Sequence, residues 1–367
     1  MIYLDNAATS FHKPRSVAAA IQRALNTCAN PGRGGYPAAM AALETLYRCR
    51  ETAGRLFHCD PERVVLTSNC THGLNMAIRT LVKPGDPVVV SGFEHNAVVR
   101  PLYALGARVE VAGRKLFDWE DTLTAWEAAL RKKPKAAVFT HVSNVFGYVL
   151  PVSELAELCH RYGVPFILDA AQSAGAIPLD FEALGAAFIA MPGHKGLLGP
   201  QGTGLLLCGQ LPEPLLLGGT GGSSLSREMP QFLPDRGEAG TQNVPGAAGL
   251  TAGMLAVERM GIEKIGPREK LLGDRCIKEL NKLGFRVFSG PHQSGVVSFL
   301  PGMDCEEAAA FFAQRNIALR GGLHCAPLAH ESAGTLETGT LRLSIGHSTT
   351  ENHTLAFLQT AAQIPQN

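Results

Sequence analysis

The stretch MPGHKGLLGPQGTG (191–204) sets Lys195 among glycines and prolines, between the apolar runs AAFIA and GLLLC. An amine between two strand-like segments must be solvated, paired or used in chemistry. A second group, Asp169, ends the apolar run VPFILD. Its carboxylate would be partly desolvated there, and would protonate unless a cation met it. His95 follows a third apolar run, PVVVSG. Thr71 and His72 follow another strand-like run and open a helical one, where backbone N–H groups and the helix dipole favour a phosphate. A lysine, a buried aspartate, a planar histidine and an anion site are together what pyridoxal phosphate needs. It takes a Schiff-base amine, an anion beside the pyridine nitrogen, a group over the ring and a phosphate pocket.

The elements that must position these groups are legible from residue 60 to 210. Short β-rich runs lie at 63–69, 87–92, 135–144, 164–171 and 186–191, with helical spacing at 71–82, 96–105, 120–133 and 151–162. The runs are almost continuously apolar, as in strands covered by helices on both faces. This predicts an α/β fold with a large, doubly wound, mainly parallel sheet. Ligands of such sheets bind outside the carboxyl ends of the strands. Ser68 to Thr71, Glu94 to Asn96, Ser143-Asn144, Asp169 with Gln172, and His194-Lys195 are therefore expected to converge on one edge. The GGTGGSS segment (218–224) and the loop to Pro245 read as an exposed excursion, followed by helical stretches at 247–261 and 263–283. The remainder reads β-β-α-β-β-α, a smaller α+β domain. The expected division is a large domain over 15–255 and a small one from 1–14 plus 256–367.

Of the 367 residues, 46% are apolar and 18% charged, and 33 basic against 32 acidic residues leave a formal charge of +1. That balance points to neither nucleic acid nor an anionic membrane as partner. No apolar run approaches the roughly 20 residues that span a bilayer. MIYLDNAATS has neither a basic n-region nor an apolar h-region, so a cytoplasmic protein is expected. The nine cysteines contain no CxxC pair, which gives a metal site no support, and reduced thiols are the default. The chain has no GxxxxGK[ST]. GPQGTG precedes a strand, whereas a dinucleotide fingerprint follows one and opens a helix.

In chain order, YLDNAAT, SNCTHGLN, FEHNAVVRP, HVSNVFG, LDAAQSAG, PGHKGLLGPQGTG, EAGTQN, LRGGLHCAP and LRLSIGH resemble the class V branch of fold-type I pyridoxal-phosphate enzymes. Within that branch they are most similar to cysteine desulfurases and selenocysteine lyases with a short active-site cysteine loop. The resemblance implies that Lys195 holds the cofactor as a Schiff base and later moves the substrate α-proton. Asp169 would pair with the ring nitrogen, Gln172 would bond the ring hydroxyl, and His95 would stack on the ring and serve as acid or base. Asn144 would contact the ring oxygen or the substrate. Thr71 and His194 would bind the phosphate, with Cys70 and His72 completing the cofactor-binding set. Thr241 would reach the phosphate from a neighbouring subunit, which implies a homodimer with shared active sites. One departure is Pro192, where a serine is usual; it has no hydroxyl to offer, and Ser223 is a candidate substitute. His72 stands where an acidic residue is common, and the 30–37 loop makes Arg33 a candidate for the substrate pocket.

Cys325 decides which reaction is expected. Its neighbourhood, ALRGGLHCAPLAH, combines glycines with basic residues, a setting that favours a thiolate nucleophile; the other eight cysteines read as small core residues. The implied reaction converts L-cysteine to L-alanine and leaves a persulfide on Cys325, which is passed to an acceptor protein or thiol. Arg342 would clamp the substrate carboxylate, and Arg320 would position substrate or loop. Selenocysteine lyase, cysteine-sulfinate desulfinase and other class V lyases or aminotransferases share these residues and stay open. A non-catalytic cofactor-binding scaffold is the remote alternative.

Overall fold

The computed structural model describes residues 1–32, 34–222 and 224–364. Its strands are β1 (Ile2–Tyr3), β2 (Val64–Thr67), β3 (Pro87–Ser91), β4 (Arg108–Ala112), β5 (Ala136–Thr140), β6 (Phe166–Asp169), β7 (Phe188–Pro192), β8 (Gly204–Cys208), β9 (Arg286–Phe288), β10 (Val296–Leu300), β11 (Ile317–Ala318), β12 (Arg320–Gly322) and β13 (Thr340–Ser344). Its helices are α1 (Arg15–Thr27), α2 (Pro37–Phe57), α3 (Cys70–Leu81), α4 (Asn96–Ala104), α5 (Trp119–Leu130), α6 (Val152–Tyr162), α7 (Phe181–Leu184), α8 (Val244–Met260), α9 (Ile262–Lys282), α10 (Cys305–Gln314), α11 (Pro327–Ala333) and α12 (Glu351–Ala361).

The large sheet has the order β2-β8-β7-β6-β5-β3-β4. Only β8 runs against its neighbours, so the sheet is mixed and mostly parallel. Successive strand residues enter opposite cores. Ala137, Phe139, Phe166, Leu168 and Ile189 pack on one face, and Ala136, Val138, Ile167, Phe188 and Ala190 on the other. Helical layers on both faces explain why the strands read as unbroken apolar runs. The chain runs from β3 outward to β4, then returns to the other side of β3 as β5. A ligand crevice is expected at this reversal, and His95 and Asn144 follow the two strands that flank it.

The C-terminal region builds a second sheet in the order β12-β13-β10-β9, all antiparallel, over a core containing Leu272, Phe299, Phe312 and Phe357. The short β1 pairs in parallel with β11, and Ser344 donates its backbone N–H to Leu4. The N-terminus is thus tied to this sheet, 340 residues away in sequence. The α11 helix falls between the last two expected strands, and α1 and α2 occupy a region for which no elements were expected. Among its described residues, the first part of the 218–245 excursion is largely exposed, with Phe232 at 52%. No helix among the described residues is long and apolar enough to cross a membrane.

Candidate active site

Lys195 follows β7 in a glycine-permitted loop. A Cβ on Gly196 would run into the Ala174 carbonyl, and one on Gly175 into the Gly196 carbonyl. Glycine at both positions lets the lysine loop lie directly against the segment that follows Asp169. Asp169 is 2% exposed, in register between Thr140 of β5 and Ala190 of β7. Burial pushes its carboxyl above the usual range, against the opposing pull of the Ala171 N–H and Lys195. Lys195 is displaced downward by burial, with Asp169 as the largest opposing influence. Each group is the other's charged counterpart. The Ala171 N–H (2.8 Å) and the Cys70 thiol (3.5 Å) both reach Asp169 Oδ1, leaving Oδ2 open to a further donor.

His95 caps α4: its Nδ1 accepts the Ala97 N–H at 3.0 Å, which leaves the ring proton on Nε2. Burial, then the cations Lys195, Arg320, Arg100 and Arg342, lower it to about 4, so the ring is a neutral donor. Glu94, next to it, does not face the site. It is fully buried, accepts from Ser91 Oγ and from the Thr140 N–H, and is pushed up to about 8 by burial. Ser143 is likewise inward, its hydroxyl accepting from Val145 and Phe146 N–H. These two strand-end residues brace the edge. Asn144 does more: its Nδ2 donates to the His324 carbonyl at 2.8 Å, and its own carbonyl accepts from Arg342 Nη1 at 2.8 Å.

Cys325 lies between β12 and α11. It and His324 hold left-handed backbone, φ 59° and 51°. Two such residues in succession persist only where the surroundings over-determine them. Here the Cys325 carbonyl accepts the Asn96 N–H at 2.8 Å, and His324 joins the Thr340 carbonyl (3.1 Å) and stacks on His330. Cys325 is the one exposed cysteine of nine, and its Sγ lies 3.9 Å from Arg320 Nη2. The loop is therefore anchored to the residue that follows His95, while its sulfur stays open.

Arg342 is 1% exposed and opposite Arg320 on neighbouring strands. Its Nη2 is paired with Asp5 at 2.6 Å, and its Nε is buried without a partner. No local sequence pattern marks Asp5 for this role, although a guanidinium buried in a strand demands a counter-ion. Gln172 Nε2 donates to the Ala7 carbonyl at 3.0 Å, and Gln172 and Lys195 line one cavity of about 450 Å³.

The phosphate candidates divide into two groups. His194 sits beside Lys195, its Nδ1 3.0 Å from Thr9 Oγ1. Thr71 and His72 open α3 behind the Asn69 cap; the His72 ring is turned back so that Nδ1 accepts the Ser68 N–H at 3.3 Å. Thr71, His72 and Thr241 of the same chain line a separate cavity of about 620 Å³. Arg33 and Ser223 lie outside the described residues.

Comparison with known proteins supplies the family and the fold. Residues 2–357 match the aminotransferase class-V family. A protein of Methanothermobacter thermautotrophicus named probable cysteine desulfurase is 32% identical over 99% of this chain and 94% of its own length. The apo structure of a cysteine desulfurase from Thermococcus onnurineus matches with a TM-score of 0.90 and 30% identity, covering 98% of this chain and 94% of that one. A cysteine desulfurase from Escherichia coli matches with a TM-score of 0.84 and 27% identity, covering 99% and 94%.

Proposed function

The chain belongs to the aminotransferase class-V family, and on that premise we propose that it is a pyridoxal-phosphate-dependent cysteine desulfurase. One observation carries the reading. The single exposed thiol, Cys325, is hydrogen-bonded through its carbonyl to the strand edge that holds His95, Asp169 and Lys195. The donor set suits the cofactor. A desolvated carboxylate with Oδ2 open fits a protonated pyridine nitrogen, and a half-buried lysine displaced downward is primed as a nucleophile. Lys195, Asp169, Gln172 and His95 would hold the ring, and Asn144 would brace the cysteine loop through the His324 carbonyl. His194 and the α3 start at Cys70, Thr71 and His72 would hold the phosphate.

Bound there, pyridoxal phosphate supplies an electron sink for charge developing on the substrate α-carbon. Lys195 takes and returns the proton at that carbon. Arg342 Nε, the unpartnered buried donor, and Arg320 receive the substrate carboxylate. The Cys325 thiolate attacks the substrate sulfur: an S–S bond forms, the C–S bond breaks, and its electron pair stays on the β-carbon. That carbon takes up the proton that the substrate thiol carried, His95 Nε2–H is positioned to stabilise charge left on the sulfur, and the products are L-alanine and a Cys325 persulfide. The persulfide sulfur then passes to an external thiol, on a protein or a small molecule. Nine free cysteines suit a reducing compartment such as the cytoplasm.

A homodimer belongs to the same proposal. The exposed Met40, Leu43 and Tyr47 of α2 line one surface with Phe232 that continues to Thr241. A second copy covering it would bring Thr241 of one chain toward the site of the other. The test is to incubate the purified enzyme with L-cysteine, L-selenocysteine and L-cysteine sulfinate and quantify alanine and protein persulfide. Alanine and Cys325 persulfide from L-cysteine support the proposal; alanine from the other two alone would replace it with a selenocysteine lyase or desulfinase.

A further inference from the structure

The carbonyl oxygen of His194, directly before Lys195, is met by four donors from one N-terminal stretch. They are the Ser10 N–H (3.1 Å), Thr9 Oγ1 (3.0 Å), Ser10 Oγ (3.0 Å) and Lys13 Nζ (2.7 Å). Lys13 Nζ also donates to Ser10 Oγ at 2.6 Å, and no carboxylate pairs with it among the described residues. A carbonyl oxygen has two lone pairs, so four donors exceed what it accepts. The Ser10 N–H and the ammonium are fixed on it. The two hydroxyls have other acceptors: Ser10 Oγ lies 2.9 Å from the Lys195 carbonyl, and Thr9 Oγ1 lies 3.0 Å from His194 Nδ1.

We infer that Lys13 and Ser10 saturate the His194 carbonyl, so that the Thr9 hydroxyl donates to His194 Nδ1 and fixes that ring's proton on Nε2. Lys13 and Thr9 are then positioning residues. They act on His194 and make it a donor toward an anion. The inference rests on the cofactor reading above, with His194 at the phosphate. Burial, with Lys195 and Lys13 nearby, keeps His194 neutral, lowered to about 4. A neutral imidazole has one N–H, so its tautomer decides whether the phosphate meets a donor or a lone pair. Pro192 raises the stakes, because it offers neither hydroxyl nor N–H where the resemblance leads one to expect a serine.

The experiment titrates the apoprotein with pyridoxal phosphate and, separately, with pyridoxal, which lacks the phosphate. Thr9→Val is expected to lose about tenfold in affinity for pyridoxal phosphate and none for pyridoxal, with Thr9→Ser restoring it. Lys13→Met is expected to lose about threefold with the same selectivity, and Lys13→Arg to recover part. Thermal melts identify any variant that fails to fold. Nitrogen-15 spectra of histidine-labelled protein, with His194 assigned through His194→Asn, should show Nε2–H in the parent chain. An Nδ1–H tautomer, or equal losses for both ligands, overturns the inference. If the parent chain binds no pyridoxal phosphate, the cofactor reading fails, and the spectrum still decides the tautomer.

Discussion

Lys195 and Cys325 are the two proposed reactive ends of the site, and opposite means prepare them. At the lysine end, burial dominates. Asp169 and Lys195 are displaced toward their neutral forms and answer each other's charge. At the cysteine end the sulfur is exposed, and the control lies in the backbone: two left-handed residues, with the Asn96 N–H and Asn144 Nδ2 on their carbonyls. The difference matches the two tasks proposed for them. A group that must activate a bound cofactor gains from dehydration, because its interactions strengthen at low dielectric. A sulfur that must take a cargo and surrender it has to reach both the interior and an external acceptor, so it is aimed rather than enclosed.

The strongest break removes the lysine end. Lys195→Ala is expected to abolish the visible absorption of lysine-bound cofactor and to lower turnover by about 10⁴-fold or more, checked by absorbance and alanine release. Cys325→Ala attacks only the other end. Alanine and persulfide formation from L-cysteine should vanish while the cofactor absorption stays unchanged. Loss of that absorption in the cysteine variant would show that the two ends are not separately built.

Much of the lysine end was legible because it sits on strand ends. Strand runs leading into Asp169, His95 and Asn144 locate a crevice by residue order alone, and the continuous apolar runs reveal helices on both faces. What strand ends do not reveal is direction. Glu94 and Ser143 occupy the same kind of position and turn inward to brace the sheet. Contacts made across 337 residues, such as Arg342 with Asp5, were not readable either, since no local periodicity encodes them. The N-terminal cradle at Lys13 was hidden for the same reason. The α1 and α2 helices were missed although Pro37 at the first position of α2 is a start signal. The Cys325 loop is marked in the sequence by its glycines, its basic neighbours and its resemblance to the family's cysteine loop, whereas the anchors that fix it are not.

A milder variant sharpens the comparison at the cysteine end. Asn144→Ala removes the donor to the His324 carbonyl while leaving the main-chain acceptor for Arg342 in place. Losing one such bond costs about 1 kcal/mol, so persulfide formation should slow roughly five-fold, by stopped-flow measurement. Alkylation of Cys325 by iodoacetamide should change with it, while cofactor affinity stays within about twofold. A large fall in cofactor affinity instead would assign Asn144 to the lysine end.

The smallest expected effect tests whether burial sets the tone of the lysine end. Glu94 is pushed from 4.5 to about 8 by burial, opposed by its bonds from Ser91 and Thr140. Between those values the folded protein keeps a proton that the unfolded chain has released. Stability from this group is therefore fully present below about pH 4.5 and falls as pH rises toward 8, by at most about 1.4 kcal/mol for each pH unit crossed. Glu94→Gln removes the titration. It retains an acceptor for the Ser91 and Thr140 donors but leaves the amide where Oε2 is already buried without a partner, so it should melt slightly lower at pH 5. Calorimetry from pH 5 to 8 should show the melting temperature of the parent chain declining relative to the variant, with the gap closing or reversing at pH 8. Parallel curves would mean that Glu94 is ionised throughout, and that dehydration at this edge is weaker than the positions of Asp169 and Lys195 imply.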